Sequence, residues 1–211
     1  MLSALDALAR LYQGNRRFVA GHSTTSLSSA ARRSSLVERQ EPFAIILGCS
    51  DSRVPAELVF DQGFGDLFVI RVAGNIVAPS QVGSVEFAAS RYATRLVVVM
   101  GHSQCGAIIA TLEELQGQAT TQSWNLRSIV DRVRPSVEPL FATRLAGAHD
   151  ALVSDAVRAN VRASVDHLRH GSALLEQLIR EGGLMIVGAE YSLETGVVDF
   201  FENVPLEAAK Q

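Results

Sequence analysis

Cysteine occurs only twice in the 211-residue chain, at positions 49 and 105, and His102 stands three residues ahead of the second. Two thiolates and one imidazole form a donor set that zinc selects. Three protein donors leave a fourth position open, which is the catalytic arrangement of zinc rather than the structural one. Cys49 also opens the run Cys49-Ser50-Asp51-Ser52-Arg53, so a carboxylate and a guanidinium arrive with the first thiol. Simpler readings exist for each part. H-x-x-C is a weak motif by itself, and a lone cysteine is more often a small buried hydrophobe. The two thiols could also pair as a disulfide, although disulfides are uncommon in reducing compartments. What favours the metal reading is placement: each cysteine follows a short apolar run of strand-like composition.

Those runs are 43–48 and 96–100, rich in Ile, Val, Leu and Met. Continuous apolar runs of this length suit parallel strands buried on both faces. Ligands in open parallel sheets bind outside the carboxyl ends of the strands, where Cys49 and His102 fall. Further strands are read at 67–72, 184–187 and 197–201, the last an edge strand after a turn at Gly196. Helices are read at 30–39, 83–93, 105–115, 154–170 and 173–179, with a short helix or turn at 55–60. Val157, Val161, Val165 and Leu168 share one stripe of the 154–170 helix. Segment 123–145 is helical in character but interrupted at Pro135 and Pro139, with Trp124 as a packing residue. The N-terminal segment, through Leu5, Leu8, Leu11 and Tyr12, is an amphipathic helix that ends near Gly14 or restarts after it. Residues 21–29 read as a Ser/Thr-rich loop. Cys105, at the head of its helix, gains thiolate character from the helix dipole. Strands alternating with helices give an α/β fold of four or five strands with right-handed crossovers.

Composition narrows the function classes. The chain is 47% hydrophobic with a net charge of -3 and a pI near 6.0, which suits a folded domain and no nucleic-acid surface. No run of about 20 apolar residues suggests a membrane span. Asp6 and Arg10 break the apolar N-terminus, unlike a signal-peptide core, so the expected compartment is cytoplasmic. One domain is expected over 1–211, with a helical arm at 1–40 and an α/β core at 41–211.

Cys-Ser-Asp-Ser-Arg at 49–53 followed by His-Ser-Gln-Cys-Gly at 102–106 resembles the paired signatures of the β-class carbonic anhydrases. Residues 66–75, Asp-Leu-Phe-Val-Ile-Arg-Val-Ala-Gly-Asn, resemble that family's second strand and following loop, and the resemblance extends from about Leu5 to Val198. It implies a mostly parallel sheet of order 2-1-3-4, a last strand antiparallel at the edge, flanking helices and an N-terminal helical arm that embraces a neighbouring protomer. It implies a zinc lyase that hydrates carbon dioxide reversibly to bicarbonate and a proton, by attack of zinc-bound hydroxide. Cys49, His102 and Cys105 would hold Zn2+. Asp51, paired with Arg53, would orient the nucleophile, and in a closed state Asp51 would itself be the fourth ligand. Gln40, across a dimer interface, with Phe68, Phe87 and the backbone of Gly106, would contact substrate. A homodimer or a dimer of dimers follows. Phe87 stands where a tyrosine is usual, and Ala73 where valine is frequent. Ile46 stands where a bicarbonate-inhibited subclass has tryptophan, although Arg71 and Tyr191 match that subclass's other contacts. Two alternatives remain open: a carbonyl sulfide or carbon disulfide hydrolase on the same site, and a non-enzymatic zinc-stabilised or redox-sensing assembly protein.

Overall fold

The central strands carry apolar side chains on both faces because both faces are covered. The computed structural model describes residues 2–23, 29–118, 123–143 and 149–205. Among them, β1 (Ala44–Gly48), β2 (Leu67–Arg71), β3 (Leu96–His102), β4 (Met185–Tyr191) and β5 (Val198–Glu202) form one sheet of order β2-β1-β3-β4-β5. The first three pairings are parallel and β4–β5 is antiparallel. Every residue of β1 and β3 is buried. Alternation splits them: Ile46, Val98 and Met100 face Leu8, Leu11 and Phe60, whereas Ile45, Leu47, Val97 and Val99 face Val85, Val161 and Val165. At about 1.5–3 kcal/mol for each large apolar side chain buried, these strands anchor the sheet.

The helices are α1 (Ala4–Val19), α2 (Ala30–Ser35), α3 (Ala56–Val59), α4 (Pro79–Arg91), α5 (Gly106–Leu115), α6 (Trp124–Thr143), α7 (His149–His170) and α8 (Ala173–Glu181). A short 3-10 turn spans Ala73–Asn75. No helix among the described residues is long and apolar enough to cross a membrane. The 154–170 stripe is buried as its period requires, with Val157, Val161, Val165 and Leu168 all in the core.

Several boundaries differ from the sequence reading, each for a packing reason. Helix α1 does not stop at Gly14. A Cβ there would stand 1.8 Å from the Phe60 carbonyl oxygen, so this glycine lets α1 lie directly on the end of α3. Asn15 beside it is buried and fully used. Its Nδ2 donates to the carbonyls of Val59 (3.1 Å) and Gly196 (2.9 Å), and its Oδ1 accepts from Val198 N–H (2.9 Å). Helix α6 runs through both prolines, because Val130, Val133 and Val137 bury one side of it while Pro135 and Pro139 stand exposed. The carbonyls that lose a donor to proline there lie on the side open to water. Trp124 is 86% exposed at the head of α6 and does no packing. Helix α4 begins at Pro79, earlier than the predicted 83, since proline is favoured in a first turn; α2 ends at Ser35, short of 39. Strands β3 and β4 extend to His102 and Tyr191, beyond their apolar runs. Parts of two predicted segments, residues 24–28 of the loop and 144–145 of the helix, lie outside the described residues.

Gly14→Ala is expected to destabilise by about 1–3 kcal/mol or more through the clash with Phe60. Gly83→Ala, in a helix with nothing within 4 Å of the new methyl, is expected to stabilise by roughly 0.5–1 kcal/mol. Urea unfolding at one fixed protein concentration compares them; equal shifts would contradict the packing account.

Candidate metal centre

Parallel strands β1 and β3 are neighbours, with Gly48 in register with Met100. Their carboxyl ends therefore deliver Cys49 and His102 side by side. Cys105 comes from the next turn, as the residue capping α5. The donor atoms of Cys49, His102 and Cys105 lie within 4.8 Å of one another, and all three residues are buried. Cys49 and Cys105 belong to one buried apolar cluster with Ile76, Ile108, Val133 and Val157, so the setting is apolar.

Each donor is aimed by a neighbour. His102 Nδ1 lies 2.9 Å from the carbonyl oxygen of Ser103. A carbonyl only accepts, so Nδ1 carries the proton and Nε2 presents a lone pair. That Nε2 is buried and has no hydrogen-bond partner. Cys49 Sγ accepts from the Gly74 N–H at 3.4 Å. Gly74 sits at φ 70°, where a side chain would be strained, and Asn160 Nδ2 holds its carbonyl at 2.8 Å. The Cys105 thiol donates to Cys49 and, with the Gly74 N–H, holds the Cys49 thiol well below its ordinary pKa despite burial. The same contact, together with burial, pushes Cys105 up. The Ile108 and Ala107 N–H groups at the helix N-terminus do lower Cys105, but the hydrogen bond to Cys49 and burial outweigh them.

The donor set fits a zinc ion: two soft sulfurs, one imidazole with a free lone pair, close spacing and an apolar shell. A buried nitrogen without a partner costs about 1–3 kcal/mol unless something binds it.

Asp51 stands at the mouth of this cluster, its Oδ2 3.9 Å from His102 Nε2. Arg53 grips it three ways: Nε to Oδ1 at 3.0 Å, Nη2 to Oδ2 at 2.7 Å, and backbone N–H to Oδ1 at 2.9 Å. These hydrogen bonds hold the Asp51 carboxyl far below the usual carboxylate range. Arg71 performs a task that its residue type alone did not disclose. Its Nε donates to the Cys49 carbonyl at 2.9 Å and its Nη2 to the Asp51 carbonyl, which fixes the backbone that carries both side chains. Gly106 begins α5 beside Cys105, with open space where a Cβ would stand.

Gln40, Phe68 and Phe87 gather elsewhere. The rings of Phe68, Phe87 and Tyr92 lie 5.7–6.3 Å apart, and Gln40 Nε2 donates to Tyr92 Oη at 2.9 Å. Phe68 is in register with Ile45, four residues before Cys49, or about 13 Å along the strand at 3.3 Å per residue. Gln40 precedes β1 altogether. These residues sit toward the opposite end of the sheet from their own Cys49. Tyr92 was absent from the predicted set; it lies five residues after Phe87 in the sequence but beside it in space, at the end of α4.

Residues 44–198 match the family model described as carbonic anhydrase. The chain is 39% identical to carbonic anhydrase 2 of Mycobacterium tuberculosis over 188 residues, covering 88% of this chain and 87% of that protein. It is 40% identical to the carbonic anhydrase of Mycolicibacterium smegmatis, covering 90% and 89%. Among solved structures, a tetrameric β-carbonic anhydrase of Sordaria macrospora superposes with a TM-score of 0.69 at 25% identity, covering 80% of this chain and 85% of that one. Extensive matches in sequence and the five-stranded sheet with its antiparallel edge agree: the chain belongs to the carbonic anhydrase family, in its β class.

Proposed function

We propose that this protein catalyses the reversible hydration of carbon dioxide to bicarbonate and a proton, with Cys49, His102 and Cys105 holding one zinc ion per chain. The observation that carries the reading is the unpartnered, buried His102 Nε2 set among two thiols, with an ionised carboxylate 3.9 Å away. Zinc held there would supply a Lewis acid that lowers the pKa of a bound water. Asp51 would orient that water: a charged carboxylate only accepts, so it would take an O–H and leave a lone pair free for the carbon of the substrate. Arg53 keeps Asp51 charged and keeps it turned away from the metal position. Ile76, Ile108 and Val157 keep the surroundings apolar, which suits a small apolar gas.

The same reading requires a second copy of the chain. Gln40, Phe68 and Phe87 do not reach their own Cys49, so their contact with substrate would be made at a neighbour's centre. The partly exposed aromatic cluster and the tetrameric Sordaria macrospora relative support a dimer or a dimer of dimers.

Four outcomes are expected. Elemental analysis of purified protein finds close to one zinc per chain, and far less after Cys49→Ser or Cys105→Ser, since a serine hydroxyl is a poor ligand near neutral pH; full zinc in either variant would remove these residues from the site. Arg53→Ala retains zinc but loses activity by about 100-fold or more in stopped-flow hydration, because the stranded carboxylate can take the open position. Asp51 stays charged throughout pH 7–8.5, its depressed pKa making its contribution disappear only in strong acid. A wild-type rate that falls between about pH 8.5 and 7 therefore reports the water and not Asp51, and a flat profile would count against this assignment. Sedimentation at micromolar concentration shows no monomer, and Gln40→Ala lowers activity without changing zinc content; a fully active monomer would contradict the shared site.

A further inference from the structure

The turn that joins two of the donors is strained and is held from outside. Gln104, between His102 and Cys105, has φ 55°, a conformation that costs a non-glycine residue about 1 kcal/mol or more. Relaxing it would rotate the Ser103 carbonyl, the group that aims His102. Two attachments oppose this. On one side Arg53 Nη2 donates to the Gln104 carbonyl at 3.4 Å. On the other, the segment after β4 takes hold of Ser103.

Every polar group of Ser103 is engaged. Its N–H donates to the Tyr191 carbonyl at 2.9 Å, and its carbonyl accepts from His102 Nδ1–H. Its hydroxyl accepts from Leu193 N–H at 2.9 Å and donates to Glu194 Oε2 at 2.8 Å. A hydroxyl has one proton, and Glu194 receives it; that leaves the lone pairs for Leu193. Glu194 is itself oriented, since Ser192 Oγ–H donates to the same oxygen at 3.0 Å. It makes no ion pair among the described residues, so its bond to Ser103 is not incidental to a salt bridge. The hydrogen bond from Ser103 keeps its carboxyl below the usual range, as an acceptor only. The supporting turn is braced by Ser192 N–H to Val197 O, Gly196 N–H to Ser192 O, and Asn15 of α1 on Gly196.

We propose that Glu194 is a positioning residue for His102: through the Ser103 hydroxyl it holds the carbonyl that fixes the Nδ1–H tautomer and keeps Nε2 aimed into the donor cluster. This rests on the metal-site reading above, so its test includes a metal-free measurement. Outer partners that orient a ligating histidine typically change metal affinity by 10–100-fold when removed.

The experiment compares wild type, Glu194→Ala, Glu194→Gln and Ser103→Ala. Long-range proton–nitrogen NMR on metal-free protein, assigned with a His102→Ala control, reads the tautomer. Competition with a chromophoric chelator reads the zinc affinity. Melting of the metal-free protein reads general stability. Wild type is expected to show a single Nδ1–H tautomer. Glu194→Ala and Ser103→Ala should show mixed tautomers and zinc binding about 10-fold weaker, and Glu194→Gln, which keeps an acceptor oxygen, should recover most of both. Wild-type tautomer and zinc affinity in Glu194→Ala, with or without a lower melting temperature, would overturn the proposal and leave Glu194 as an ordinary turn residue. Failure of the metal reading looks different: wild type would then bind no zinc while the His102 tautomer still responded to Glu194.

Discussion

A buried imidazole nitrogen with no partner is an expense that a fold normally removes, and this one is built to keep it. His102 Nε2 is fully enclosed and unbonded, in an interior where such groups are rare. Keeping it there needs rigid support, because a ring free to rotate would find a partner or open a path to water. The support is layered: Ser103 fixes the ring, Gly74 N–H fixes Cys49 Sγ, and Arg71 fixes the backbone that joins Cys49 to Asp51. The free energy behind it comes from the apolar strands. β1 and β3 carry the donors at their ends, and their middles are anchored in two separate cores.

The two arginines near the site divide the work by geometry. Arg71 reaches carbonyl oxygens and so controls backbone, whereas Arg53 meets a carboxylate with its planar fork and so controls charge. Lysine could do neither as well, being a point charge without the bidentate face. The thiols are divided as well. The hydrogen bonds from Cys105 and the Gly74 N–H make Cys49 the more acidic of the two, and a single negative charge in an apolar pocket then discourages a second at Cys105. A divalent cation bound there would resolve that conflict by accommodating both thiolates.

Local features of the chain went far. The strands, the helical stripe of α7 and the three side chains that meet at the strand ends were legible because their signals are short-range: an apolar run, a 3.6 period, a cysteine where a strand ends. Gly14, Pro135 and Pro139 misled for one shared reason. Each has a local preference to break a helix, and each is overruled by something remote in sequence: Phe60 beneath Gly14, and helices α5 and α7, against which Val133 and Val137 of α6 pack. Trp124 misled in the opposite direction, since aromatic character alone does not say whether a surface stands ready to receive it.

Residue types and their order along the chain determined which groups could ligate, which could carry charge and where the strands would end. They also sufficed to place Cys49 and Cys105 after separate strands, though not to say that those strands are neighbours without the resemblance to a known family. Tertiary structure decided what surrounds those groups: that Arg71 binds carbonyls 20 and 22 residues away, that Glu194 holds Ser103 across 91 residues, and that Asn15 braces a turn 181 residues on. It also set Gln40, Phe68 and Phe87 apart from their own Cys49. Hydrogen bonds between distant segments leave no periodic trace in a sequence, because their partners are brought together only after the apolar strands have chosen their neighbours.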